Sequence, residues 1–127
     1  MSKILAIDYG TKNIGLALSD DEQKLGFAYK TINNNKIILK LKNICEAEDV
    51  EKIIIGLPIN LSGAKTKSTE MVFNFVKKLK KELNLPIEMV DERLSTAQAL
   101  RLENKNKKNI DELSAQIILQ AYLDSAR

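Results

Sequence analysis

Apolar and polar positions divide this chain into short strands and amphipathic helices. Ile4-Leu5-Ala6-Ile7 is a brief, partly β-branched apolar run that predicts a buried strand ending at Asp8. Ile14-Gly15-Leu16-Ala17-Leu18-Ser19 predicts a second strand, and the alternating stretch Leu25 to Ile32 predicts a third. Short polar turns between them make an antiparallel meander. Asn33-Asn34-Asn35 then offers a helix cap, and Ile37, Ile38, Leu41, Ile44 and Cys45 recur at helical spacing. Glu46, Glu48 and Asp49 oppose the helix dipole at that helix's far end, so it is expected to fray there.

Val50 to Gly56 contains Ile53-Ile54-Ile55, the continuous apolar run of a strand buried on both faces, and Gly56-Leu57-Pro58 stops it. A polar loop, Ile59 to Lys67, leads to a helix from about Ser68 to Leu83. Its apolar face carries Met71, Val72, Phe75, Val76, Leu79 and Leu83. Lys77, Lys78, Lys80 and Lys81 read as its solvated outer face, with nucleic-acid contact as the lesser option. Ile87-Glu88-Met89-Val90 predicts a fifth strand running into Asp91-Glu92-Arg93. Ser95-Thr96-Ala97-Gln98 is a capping box opening another helix. After a Lys- and Asn-rich break, the last helix is expected from near Asn109, with Ile110, Leu113, Ile117, Ala121 and Tyr122 as its buried stripe. The order βββαβαβαα predicts one α/β domain over residues 1–127. Its mixed five-stranded sheet joins the antiparallel meander to parallel fourth and fifth strands, flanked by helices.

Composition narrows the chemistry. The 127 residues include no histidine and one cysteine, with 20 Lys plus Arg against 17 Asp plus Glu for a formal charge of +3. Ser-His-Asp, Cys-His and His-ligated zinc sites are thereby excluded. Cys45 lies in a helical pattern and reads as a buried structural thiol in a reducing compartment. The mild positive charge permits a nucleic-acid partner without requiring one. No apolar run approaches the roughly 18 residues of a membrane span, and Asp8 comes too early for a signal-peptide core. A cytoplasmic protein that does not engage membranes is expected.

Catalysis must then rest on carboxylates, lysines or a bound ion. Asp8 ends the first strand and Glu92 ends the fifth, at the carboxyl ends where open α/β sheets form sites. Strand alternation lets only one of Asp91 and Glu92 join Asp8. Asp111 falls in the first turn of the last helix, where the macrodipole favours an acid even without function. Three converging carboxylates suit Mg²⁺ or Mn²⁺, and a pair of such ions suits phosphodiester hydrolysis. Gly10 and Gly15 shape the turn after Asp8, and Gly10, Thr11, Lys12 and Arg93 are candidate phosphate contacts. The bland reading of Asp8 to Gly15 is a hairpin turn, and of Lys12 a solvated turn lysine.

Asp8-Tyr9-Gly10-Thr11-Lys12-Asn13-Ile14-Gly15, Gly56-Leu57-Pro58-Ile59-Asn60, Asp91-Glu92-Arg93-Leu94-Ser95-Thr96, and Asp111 with Ser114-Ala115 together resemble the motifs of the YqgF (RuvX-like) family, within the RNase H-like superfamily. The resemblance implies an RNase H-like fold and a two-metal nuclease site at Asp8, Glu92 and Asp111. It also implies a nucleic-acid substrate, either the 5′ end of 16S ribosomal RNA precursor or a Holliday junction. Ribosomal particles are possible partners, and a monomer or weak homodimer is expected. One departure stands out. RNase H-like nucleases often carry an acid at the end of the fourth strand, where this chain has Gly56-Leu57-Pro58, so Glu92 must supply that ligand from the next strand.

Two other classes compete. An Asp-x-Gly-Thr turn also occurs in actin-like ATPases and sugar kinases, but those clamp nucleotide between two domains. The stretch Gly56 to Thr66 lacks the contiguous Gly-Lys-Ser/Thr of a P-loop because Ala64 intervenes. A non-catalytic RNA- or ribosome-binding module on a degenerate nuclease fold is the second rival, and retention of all three acids weighs against it.

Overall fold

Five strands and three helices make up the described part of the chain. They are β1 (Lys3–Asp8), β2 (Asn13–Ser19), β3 (Gly26–Asn33), α1 (Ile37–Ala47), β4 (Val50–Leu57), α2 (Lys67–Glu82), β5 (Ile87–Asp91) and α3 (Ile110–Ser125). The computed structural model describes residues 2–10, 12–57, 67–91 and 110–125. The helix expected from Ser95 and the loop from Ile59 lie outside them.

The strands form one sheet in the order β3-β2-β1-β4-β5. β1 pairs antiparallel with β2 and parallel with β4, β2 pairs antiparallel with β3, and β4 pairs parallel with β5. This is the mixed sheet expected from the residue pattern. Strand alternation sends side chains to two separate cores. Leu5, Ile7, Leu16, Ile53 and Ile55 pack against α1 and α2, whereas Ile4, Ala6, Ala17 and Ile54 pack against α3. Ile53, Ile54 and Ile55 are all fully buried, which accounts for the unbroken apolar run in β4.

Two local expectations need correction. The buried face of α3 is Ser114, Ala115, Ile118, Leu119 and Leu123, while Leu113 is 40% exposed. The expected stripe is therefore rotated by about one residue. Apolar residues surround this helix on most sides, so periodicity alone does not orient it. Close approach does: the small Ala115 packs in one cluster with Ala6 and Ala17, and the helix's first turn meets Gly15. The second correction concerns α1, whose cap position is Lys36 in a left-handed conformation without a side-chain cap bond. Asn34 is used elsewhere, as shown below.

The end of α1, expected to fray, is instead closed by a backbone hydrogen bond and a left-handed residue. The helix stops at Ala47, the Glu48 N–H donates to the Ile44 carbonyl at 2.9 Å, and Asp49 has φ 55°. Cys45 is buried, and burial together with Glu46 pushes its thiol up to about 11. It is protonated at neutral pH and unsuited to nucleophilic work. On the other side of the sheet, Lys52 bridges Glu88 at 2.9 Å and donates to the Tyr122 hydroxyl, joining β4 and β5 to α3. Among the described residues no helix is long and apolar enough to cross a membrane.

Candidate functional site

The carboxyl ends of the three parallel strands share one edge of the sheet. Ile7 aligns with Ile55 in β4, and Ile55 with Met89 in β5, so Asp8 ends β1 one residue short of the level at which Leu57 and Asp91 end β4 and β5. Asp8 is buried at 3% exposure, the only carboxylate among the described buried polar residues. Ile4 and Ala6 pack against α3, and alternation gives Asp8 that same face.

Gly15 brings the other end of the chain to this point. It is the antiparallel partner of Asp8 in β2. A Cβ on Gly15 would lie 2.0 Å from the Asp111 carbonyl oxygen and 2.8 Å from the Glu112 nitrogen. The first turn of α3 therefore rests directly on the backbone beside Asp8, and only glycine leaves room for it. That turn carries Asp111 and Glu112. The amino terminus of a helix presents unpaired N–H groups and partial positive charge, which favours acids there and near it. One turn on, Ser114 is fully buried, and its Oγ has no hydrogen-bond partner among the described residues.

The turn between β1 and β2 is held from the opposite side. Asn34 Nδ2 donates to the Gly10 carbonyl at 2.9 Å and to the Tyr9 hydroxyl at 3.1 Å, and the Asn34 N–H donates to the Lys12 carbonyl at 2.8 Å. Tyr9 in turn stacks on Phe75 of α2, with ring centroids 4.5 Å apart. Gly10 packs so close to Asn13 that a Cβ would sit 2.3 Å from the Asn13 carbonyl oxygen. Lys12 is exposed at the tip. Sequence reasoning assigned Asn34 to a helix cap and so missed this role. A polar triplet after a strand looks the same whether it caps the next helix or reaches across to a turn. Asn34→Ala removes both side-chain bonds and leaves the Gly10 carbonyl without that donor. It is expected to cost about 1–3 kcal/mol, read from the midpoint of urea unfolding; an unchanged midpoint would remove Asn34 from this role.

The structure thus sets Asp8, through its strand partner Gly15, beside the first turn of α3, while Gly10 and the exposed Lys12 lie in the adjoining β1–β2 turn. Glu92, Arg93 and Thr11 lie outside the described residues. Among the described residues, no group of three or more His, Cys, Asp or Glu side chains is close enough to hold a metal ion.

Comparison with solved structures defines the class. The fold matches Thermus thermophilus RuvC, solved in complex with a Holliday junction substrate, with a TM-score of 0.65 and 9% identity over 99% of this chain and 96% of that one. It also matches the fowlpox virus Holliday junction resolvase, with a TM-score of 0.56 and 11% identity over 97% and 99% of the two chains. The chain has the RNase H-like fold of the RuvC-type resolvases.

Sequence comparison gives the family. Residues 2–125 match the model described as RuvX: Holliday junction resolvase. A protein of Maridesulfovibrio salexigens, provisionally named a pre-16S rRNA nuclease, is 41% identical over 98% of this chain and 99% of its own length. A Bacteroides fragilis protein with the same provisional name is 39% identical over 100% of this chain and 99% of its own. The chain belongs to the RuvX family.

Proposed function

We propose that this protein is a metal-dependent nuclease that cleaves phosphodiester bonds in the 5′ leader of 16S ribosomal RNA precursor. The observation that carries the nuclease reading is the buried Asp8 carboxylate beside Gly15, with the amino terminus of α3 seated on that glycine. The full-length relatives and their provisional name support the choice of RNA precursor.

The residues fit a divalent-cation site in three respects. A carboxylate buried at 3% exposure calls for positive charge nearby. Gly15, the strand partner of Asp8, lets the first turn of α3 that carries Asp111 seat directly beside it. The buried Ser114 hydroxyl adds a further oxygen next to Asp111. Asp8, Glu92 and Asp111 would be the ligands. Glu92 has the sequence parity of Val90, which packs on the α3 side of the sheet, the side that alternation gives to Asp8. A pair of Mg²⁺ or Mn²⁺ ions, when bound, supplies an activated water and charge stabilisation for the leaving oxygen. The chain's own part is to hold the scissile phosphate. The amide edge after Gly10, with Thr11, Lys12 and Arg93, would contact its oxygens, Arg93 in a bidentate manner.

A second reading has specific support. The family description and the resolvase-like fold favour cleavage of a four-way DNA junction, which needs two coordinated cuts. Both readings place the protein in the cytoplasm, as a monomer or weak dimer acting on nucleic acid, and the first also brings it to ribosomal particles. A side-by-side assay separates them: purified protein with Mg²⁺ or Mn²⁺ is offered a 16S precursor leader and a four-way junction. Cleavage of the leader is expected, and exclusive cutting of the junction reverses the assignment.

A further inference from the structure

A groove on the α1–α2 side of the sheet lies apart from the carboxylates. It begins as a depression of about 600 Å³ whose lining includes Tyr9, Asn34, Lys36, Leu39, Met71 and Lys78. It continues into a second depression of about 420 Å³ bordered by Leu39, Lys42, Lys78, Lys81 and Glu82. The upper end is the β1–β2 turn itself, since Tyr9 follows Asp8 and Asn34 holds Gly10. The floor is apolar and open: Leu39 is 56% and Met71 37% exposed, beside the stacked Tyr9 and Phe75 rings.

The walls are basic. Lys36 and Lys42 border the groove on the α1 side, with Lys78 and Lys81 from α2 facing them, against the single acid Glu82. None of these four lysines is in an ion pair among the described residues. Two of the α2 lysines that the sequence reads first as a solvated face and only second as nucleic-acid contact, Lys78 and Lys81, thus border a channel. Its lower end changes character, because Glu46 and Glu82 border the next depression.

We propose that this groove is a track for a single-stranded segment of the nucleic-acid substrate, running from the β1–β2 turn between α1 and α2 to Lys42 and Lys81. This rests on the nuclease reading above. Lysines along two walls complement a phosphate backbone. An apolar, partly aromatic floor suits the faces of unpaired bases, which a duplex keeps stacked inside. The change to acidic residues at the lower end limits the track there. The chain would accordingly favour substrates with an unpaired flank next to the scissile bond.

The test uses the full chain carrying Asp8→Asn, so that binding is read without cutting. The probes are a fluorescent hairpin with a single-stranded leader and the same hairpin made blunt, each in RNA and DNA form. Adding Lys42→Glu, Lys78→Glu and Lys81→Glu is expected to weaken leader-hairpin binding on the order of 10–100-fold and to lower the log–log salt slope by about 2. Binding of the blunt hairpin is expected to stay within a factor of about three, which also certifies the fold of the variant. Equal losses on both probes, or no loss on either, overturn the track; the latter result would leave the groove to an acidic protein partner. Cleavage by the Asp8→Asn parent would instead count against the metal site, and the binding comparison is then read with non-cleavable phosphorothioate probes.

Discussion

Asp8→Asn is expected to lower divalent-metal-dependent cleavage by more than about 100-fold, because even residues behind the direct ligands of metal sites cost 10–100-fold when changed. Substrate binding should stay within a few-fold of the wild type, since the phosphate contacts assigned to Gly10, Thr11, Lys12 and Arg93 are separate groups. The exchange keeps the shape of the side chain and removes its charge, so the effect is electrostatic. A second readout needs no substrate. A ligand that binds only the folded state stabilises it by about 2.7 kcal/mol at 100 times its Kd. Mn²⁺ should therefore raise the melting temperature of the wild type and not that of the variant. Undiminished cleavage by Asp8→Asn would end the metal-site reading, whereas substrate binding without any cleavage by the wild type would favour a module that binds RNA without cutting it.

Gly15→Ala should be the most damaging single-methyl change on the sheet. Its Cβ would meet the Asp111 carbonyl at 2.0 Å, and that obstacle is backbone. Overpacking of this kind costs about 1–3 kcal/mol when side chains can yield, so a loss of about 3 kcal/mol is expected, or roughly 10 °C in melting temperature. Gly26→Ala is the internal comparison. There the added methyl meets the Leu119 side chain at 3.0 Å, which can move, so the loss should be clearly smaller. Equal stability of Gly15→Ala and the wild type would mean that α3 does not rest on β2 as described. Where Gly15→Ala still folds, cleavage should fall as well, because moving α3 carries Asp111 away from Asp8.

Much of this arrangement was legible in the residues. The Ile53-Ile54-Ile55 run announced a strand buried on both faces, and the alternation of Leu25 to Ile32 announced a half-buried one. Those signals are strong because burial is imposed residue by residue. The position of Asp8 at a strand end was legible for the same reason. Less visible were features set by contact between distant elements. The face of α3 was misplaced by one residue because apolar side chains lie on most of its sides. The packing that orients it depends on Gly15, Ala6 and Ala17, far away in sequence. Asn34 was misassigned because a side-chain amide serves a cap or a turn equally well, and only tertiary contact decides. The grouping of Lys42 with Lys78 and Lys81 likewise required the packing of α1 beside α2. A list of charges on separate helices does not contain that information.

The seat of α3 on Gly15 also bears on when the protein can act during its own synthesis. Asp8 and Gly15 emerge early, but the helix that covers them starts at Ile110. β1, moreover, is paired with β4 across more than forty residues of intervening chain. A chain still being translated can form the β1–β2–β3 meander and yet lack two of its three candidate ligands, Glu92 and Asp111. On the proposed site at Asp8, Glu92 and Asp111, cutting of RNA would have to wait until the last helix is free to dock.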